Sequence, residues 1–349
     1  MADDILLVAP HWVGDAVMSL GLAQALKAGE PARRIAVLCS AGVAAVYRAS
    51  PAIDEVIEVA WRHGGLQSRL RWSLARGLRA RPGPQRFRTA YILPNSFKTA
   101  LVPWLARIPE RIGYAAEARG WLLTRCWPKP RGTDKPPMLD WYARLAPELI
   151  GATTPRPLLQ GRQSVLDAVR TRLLLSAEPY LCVAPGAEYG PAKRWPAAYF
   201  AAVVAAVLRA HWMGIRQVVL LGGPQDKPLA AAVLHALPAE QQALVRDGAG
   251  LTTLDEAIAL IGGAAHLLSN DSGLMHVAAA LDTPLDAIFG STDPRHTPPL
   301  SPQARVHWLQ LACSPCFQRE CPLGHTDCLN ELSPKRVAAG LLDGTMRTP

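Results

Sequence analysis

The sequence predicts an α/β protein of two successive domains, each a parallel sheet with helices on both faces. Three observations lead there. Short apolar runs alternate with stretches of helical spacing, and the alternation occurs twice around a polar, proline-containing break. The length of 349 residues suits two domains of ordinary size.

In the first half, ILLVA (5–9), RIAVLC (34–39), EVIEVA (55–60) and TAYILP (89–94) read as strands, being short, apolar and bounded by polar or turn-forming residues. Between them, DAVMSLGLAQALKA (15–28) and QSRLRWSLARGLRA (67–80) carry the period of a helix. The break begins at ATTPRP near residue 152, which sets the domains at 1–155 and 156–332, with 333–349 as a final helical segment. The second half repeats the pattern. Strands are expected at YLCVA (180–184), QVVLLG (217–222), HLLSN (266–270) and LDAIFG (285–290). Helices are expected at AAYFAAVVAAVLRAHW (198–213), DEAIALIGGA (255–264) and GLMHVAAAL (273–281).

Composition bounds the function. Half of the residues are hydrophobic and 19% are charged, as in a folded protein. The N-terminus, MADDILLVAPHWVGD, carries acids where a signal peptide carries lysines, so a cytoplasmic location is expected. No run approaches the roughly 20 apolar residues of a membrane helix, so any membrane association is expected to be peripheral. The seven cysteines are expected as reduced thiols.

Net charge is +9, unevenly placed. Residues 61–135 hold thirteen arginines and three lysines against Glu110, Glu117 and Asp134, a local excess of thirteen that leaves −4 for the rest of the chain. The asymmetry points to an anionic partner, either a phosphorylated substrate or an anionic membrane face; a solvated arginine-rich surface is the bland alternative. Nucleic acid is disfavoured because no zinc-finger, KH or RNP signature is present.

In parallel α/β domains, ligands sit where strand ends feed helix starts. Four such loops carry reactive side chains. PHWVGDAVMS places Asp15 after the first strand, as a general base for a substrate hydroxyl or simply as a residue of the helix start. PGAEYGPAKRWP brings Glu188, Tyr189, Lys193 and Arg194 to a helix start, where ammonium and helix dipole suit a diphosphate. GGPQD offers Gln225 or Asp226 to ribose hydroxyls. SNDSGLMH places Asp271, Ser272, Gly273 and Leu274 at another helix start, with His276 one turn further in. Capping explains Asp271 or Ser272 equally well, and a satisfied core histidine explains His276. The absence of G-x-G-x-x-G after the first strand and of a Walker loop disfavours dinucleotide oxidoreductases and P-loop NTPases.

Taken together, APHWVGDAVMS, LPNSFKTALVPWLARIPERIGY, PGAEYGPAKRWP, SNDSGLMHVAAAL, FGSTDPRHTPP and CSPCFQRECPLGHTDCL resemble the ADP-heptose:lipopolysaccharide heptosyltransferases, glycosyltransferase family 9, nearest the heptosyltransferase II branch. The stretches run nearly end to end. The resemblance implies a GT-B fold, two Rossmann-like domains with a central cleft, acceptor on the first and ADP-sugar on the second. It also implies a final helix, 333–349, crossing back to the first domain. It gives Lys193 the ADP diphosphate, lines the donor site with Glu188, Tyr189, Gln225, Asp271, Ser272, Gly273, Leu274 and His276, and makes Asp15 the catalytic base. Lys98, Arg62 and Arg119 are expected at the acceptor, an anionic lipid A core glycolipid at the cytoplasmic face of the inner membrane, with other arginines on the membrane surface. The implied reaction inverts the anomeric centre and needs no cofactor and no obligatory metal; a monomer is expected of a two-lobed cleft enzyme. The alternatives are a heptosyltransferase of type I or III, a transferase of a different ADP- or UDP-sugar, or a noncatalytic sugar-nucleotide-binding module.

CSPCFQRECPLGHTDC sets Cys313, Cys316, Cys321 and Cys328 around His325. Their spacing departs from the paired C-x2-C of zinc ribbons, so thiols packing a proline-rich loop are expected, with a metal or redox centre as the competing reading.

Overall fold

The computed structural model describes residues 4–61, 65–129, 136–146 and 153–343. The chain divides into two compact units, Met1–Leu158 and Leu159–Pro349. Both are α/β.

In the first unit, strands β1 (Asp4–Val8), β2 (Ile35–Ser40), β3 (Glu55–Val59), β4 (Phe87–Ile92), β5 (Glu110–Tyr114) and β6 (Arg125–Trp127) form one sheet in the order β3-β2-β1-β4-β5-β6. All its pairings are parallel. The strand order reverses between β1 and β4, whose last residues, Val8 and Ile92, stand opposite each other, so their following loops leave the sheet side by side. Helices α1 (Val13–Gly29), α2 (Ala41–Arg48), α3 (Ser68–Arg79), α4 (Phe97–Leu105) and α5 (Met138–Ala143) complete the unit. β1 is buried along its whole length, which is why it reads as an uninterrupted apolar run rather than an alternation. A Cβ on Gly21 of α1 would lie 2.3 Å from the Leu139 side chain and 2.8 Å from the Pro155 carbonyl, so this glycine permits the close packing of α1 on α5.

In the second unit, β7 (Tyr180–Ala184), β8 (Gln217–Leu220), β9 (Val245–Asp247), β10 (His266–Asn270), β11 (Leu285–Ile288) and β12 (Ala304–His307) repeat the same topology, in the order β12-β11-β10-β7-β8-β9. Here too every pairing is parallel, and the order reverses between β7 and β10. Its helices are α6 (Gln163–Arg172), α7 (Ala197–Ala210), α8 (Lys227–His235), α9 (Ala239–Gln242), α10 (Leu254–Gly262), α11 (Gly273–Ala280), α12 (Asp327–Asn330) and α13 (Pro334–Asp343). α13 packs on α7, and its Val337 and Leu341 are wholly buried in that unit's core. Of the segment 333–349 expected to cross to the first domain, residues 344–349 lie outside the described residues. No helix among the described residues is long and apolar enough to cross a membrane.

Candidate functional site

At the reversal point of the second sheet, two loops emerge together, because Ala184 of β7 pairs with Ser269 of β10. Asn270, wholly buried at the end of β10, holds both ends of the 185–195 loop: its Nδ2 donates to the Pro185 carbonyl (2.6 Å) and its Oδ1 accepts from the Trp195 amide (3.1 Å). Trp195 is a second anchor. Its ring lies in the core against Phe200, centroids 5.1 Å apart, and its indole N–H donates to the Leu332 carbonyl (3.0 Å). A Cβ on Gly190 would stand 2.5 Å from the Arg319 carbonyl oxygen, so glycine lets the loop approach the 313–328 segment. That contact is closed by the Ala192 amide donating to the same carbonyl (3.1 Å).

The pinned loop delivers Lys193 to Asp271. Their charged atoms lie 2.5 Å apart, with side chains 14% and 4% exposed, and the Thr292 hydroxyl donates to the same carboxylate oxygen (2.5 Å). Lys193 also stands over the Tyr189 ring, 5.1 Å from its centroid, with Arg319 5.4 Å from the same centroid. The Tyr189 hydroxyl donates to the Phe317 carbonyl (2.7 Å). An ammonium has three N–H donors, and the carboxylate takes one direction, so Lys193 retains donors for another anion.

Ser272 occupies the N-cap position of α11, yet its hydroxyl meets Ser269 Oγ (3.1 Å) and makes no capping bond. The amides of the first turn of α11, beginning at Gly273 and Leu274, are therefore left uncapped by side chains. His276 is buried within α11. Burial, reinforced by Lys193 and opposed by Asp271, drives its pKa down to about 4 and keeps the ring neutral near pH 7. Gln225 donates to Glu188, which joins the third loop to the second. Asp226 is buried beside them, accepting from the Gly223 amide (2.9 Å), and a Cβ on Gly186 would lie within 2.5 Å of its carboxylate.

The reversal point of the first sheet is organised by an arginine. Arg119 is wholly buried, and its guanidinium donates to the carbonyls of Tyr114 (2.9 and 3.0 Å), Pro94 and Ser96 (3.3 Å) and to Thr99 Oγ1 (3.3 Å). Desolvation lowers its pKa to about 10, still charged at pH 7. Arg119 was expected at the acceptor; here its donors hold the 94–96 loop. That loop feeds α4, whose first turn carries Lys98 and whose Phe97 amide is capped by Glu117 Oε2 (2.8 Å). Asp15, half-buried, is the third residue of α1, after an N-cap at Trp12. Arg62 lies outside the described residues.

The glycosyltransferase family 9 (heptosyltransferase) model matches residues 71–327. The chain belongs to glycosyltransferase family 9. It is 37% identical to lipopolysaccharide heptosyltransferase 2 of Salmonella typhimurium over 345 residues, 95% of this chain and 96% of that one. To its Escherichia coli counterpart it is 38% identical, with the same coverage. The structure of E. coli ADP-heptose lps heptosyltransferase II superposes with a TM-score of 0.83 at 35% identity, covering 97% of both chains. This family 9 enzyme is thus a glycosyltransferase with GT-B-type α/β units, as the resemblance implied.

Among the residues picked from sequence, the structure brings Lys193, Asp271 and Tyr189 together and joins Gln225 to Glu188. Asn270, Thr292 and Arg319 were not picked. Their work is to hold backbone or a carboxylate far away in sequence, and no local motif marks it. All seven cysteines are free thiols, and among the described residues no group of three or more His, Cys, Asp or Glu side chains is arranged to hold a metal. Burial and the three neighbouring cysteines raise the Cys328 thiol to about 11, whereas backbone amides led by that of Thr326 lower that of Cys321.

Proposed function

We propose that this protein transfers L-glycero-D-manno-heptose from ADP-heptose to the heptosyl-Kdo2-lipid A inner core of lipopolysaccharide. The observation that carries the reading is the Lys193–Asp271 pair at the reversal point of the second sheet, a cation fixed where two strand-end loops meet. In this reading the second unit, Leu159–Pro349, binds the donor. Lys193 and the uncapped amides of α11 meet the ADP diphosphate, while Glu188, Tyr189, Gln225, Ser272, Gly273 and Leu274 line the site. Asp271 and Thr292 aim the lysine. His276, neutral and buried, packs behind the first turn rather than bearing charge toward the phosphates.

The first unit, Met1–Leu158, binds the acceptor. Asp15 takes the proton of the acceptor hydroxyl as its oxygen attacks the anomeric carbon, and the bond from that carbon to the diphosphate oxygen breaks with its electron pair leaving on ADP. One displacement inverts the configuration. The charge growing on ADP is met by Lys193 and by backbone N–H groups, so the chemistry calls for no metal ion. Lys98 meets a carboxylate or phosphate of the acceptor; Arg62 keeps that role on sequence alone, and Arg119 acts through the 94–96 loop. The setting is the cytoplasmic face of the inner membrane, with the protein acting as a monomer.

Calorimetric titration with ADP, UDP and NAD tests the donor site. ADP is expected to bind selectively, and Lys193→Ala to weaken it by about 1.5 to 3 kcal/mol, the worth of a hydrogen bond to a charged group. Unchanged ADP affinity in that variant moves the diphosphate elsewhere.

A further inference from the structure

The first unit carries a surface that the donor and acceptor chemistry leaves unused. Its α3, SRLRWSLARGLR, has four arginines and no acid. Arg71 is turned inward, donating to the Leu66 (2.7 Å) and Lys98 (2.6 Å) carbonyls, but Arg69, Arg76 and Arg79 face solvent. Among the described residues no carboxylate pairs with any of these three, nor with the nearby exposed Arg107.

Tryptophans stand beside them. Trp72, Trp104 and Trp121 are 55%, 39% and 62% exposed, in a protein whose other large aromatic rings are mostly buried. They are not scattered. Trp72, Arg79, Trp104, Leu105, Arg107 and Arg111 line one open groove of about 500 Å³. Trp104 packs edge-on against Trp121, centroids 5.6 Å apart at 80°, and Trp121 reaches Phe97 at 6.1 Å.

Clustered indoles rimmed by unpaired guanidinium groups match the interfacial layer of a bilayer, where the ring sits at headgroup depth and the cation meets lipid phosphate. A single-stranded nucleic acid would also attract arginine, but it needs free ring faces on which bases stack. Here Arg76 occupies one face of Trp72, 5.2 Å from its centroid, and the edge-to-face contact of Trp104 and Trp121 takes a face of one of that pair, so fewer ring faces are offered than a row of stacking platforms would present.

We propose that the α3–α4 face of the first unit, with Trp72, Trp104 and Trp121 inserted and Arg69, Arg76, Arg79 and Arg107 on the phosphates, is the surface by which this protein docks on an anionic lipid bilayer. The inference rests on the reading that the acceptor is anchored in lipid. It gives that reading a geometry: Phe97, at the edge of the tryptophan cluster, is followed by Lys98, so docking brings the acceptor loop of the first sheet to the lipid surface.

Vesicle flotation tests it. The wild-type protein is expected to bind phosphatidylcholine vesicles containing about 30% phosphatidylglycerol, to release as salt rises, and to ignore pure phosphatidylcholine. Joint replacement of Arg69, Arg76 and Arg79 by Gln should weaken partition on the order of a hundredfold, about fivefold per arginine. Trp72→Ser, at an exposed site that leaves the fold intact, should weaken it severalfold. ADP titrations of both variants are expected to match the wild type, and Lys193→Ala to bind vesicles normally. Failure of the wild type to bind anionic vesicles, or undiminished binding by the triple variant, overturns the docking surface while intact ADP binding preserves the donor reading. Absent ADP binding with vesicle binding retained does the reverse. Tighter binding to single-stranded RNA than to vesicles at equal ionic strength, lost in the same variants, would assign the face to nucleic acid and overturn the inference.

Discussion

Asp15 sits in the first turn of α1, where a carboxylate is favoured by the helix dipole whether or not it takes part in chemistry. Substitution separates the two roles. Asp15→Asn conserves volume and removes the proton acceptor, so ADP affinity should stay near the wild-type value while turnover, read as ADP release, falls by roughly 10² to 10⁴; near-normal turnover would refute the base assignment. Asn270 gives a different kind of prediction. Asn270→Ala strips partners from the Pro185 carbonyl and the Trp195 amide, two buried backbone groups, at about 1 to 3 kcal/mol for each group left unpaired. Denaturant unfolding should report a loss of about 2 to 6 kcal/mol. ADP affinity should also fall, because the loop carrying Lys193 loses its clamp. Destabilisation with ADP affinity unchanged would make the clamp structural only. Sequence pointed to Lys193 and Asp271 because ionisable residues at strand-to-helix junctions are visible as such. Asn270 was illegible, since its partners lie 85 and 75 residues away and nothing local distinguishes it from any strand-end asparagine.

At the scale of elements, the central strands and the edge strand β3 were legible, while four other strands were not. β1, β7 and β10 are buried on both faces and read as apolar runs. β6 (RCW), β9 (VRD) and β12 (ARVH) were missed because these edge strands are short and carry charged residues, and β5 (ERIGY), though flanked by β4 and β6, because Glu110, Arg111 and Gly113 interrupt its apolar run. α4 hid for another reason: Pro103 lies inside it, a residue that normally ends a helix. The 185–196 loop meets the cysteine-bearing segment at Gly190, where the sequence offered only a turn residue. Gly190→Ala would press a methyl to 2.5 Å from the Arg319 carbonyl at a backbone φ of +156°, strained for a side chain. We expect a lowered melting temperature, equivalent to about 1 to 3 kcal/mol, together with weakened ADP binding because Arg319 and Phe317 both touch Tyr189. A variant as stable and as tight as the wild type would mean that the segment shifts freely and does not hold the loop.

For the whole molecule, the basic stretch divides into arginines that build the fold and arginines that face outward. Arg71, Arg111 and Arg119 hold carbonyls and Arg81 pairs with Glu55, so net charge alone overstated the anion-binding surface. Buried charge in the second unit instead sets the response to acid. Asp286, wholly buried on β11, lies between His266 (2.7 Å) on β10 and His307 (2.5 Å) on β12, with Arg305 at 3.4 Å. Their hydrogen bonds and charges outweigh desolvation and hold its pKa well below the usual carboxylate range. A carboxyl depressed in the folded state takes up its proton first in the unfolded chain, so its stabilisation is present above about pH 3.9 and is lost as pH falls below that value. His276 acts higher. With a folded pKa of about 4 against an unfolded value of about 6.5, it is protonated first in the unfolded chain, so stability drains as pH falls through that interval. Acid unfolding should therefore proceed through two windows that separate by substitution. His276→Gln should flatten the denaturant midpoint between about pH 6.5 and 4 without changing the lower slope. Asp286→Asn should cost roughly 3 kcal/mol at pH 7, by breaking a buried charged network, and the deficit should shrink below about pH 4, where the wild-type carboxylate loses its advantage. A deficit that stays constant down to pH 2 would mean that packing rather than charge joins the three strands.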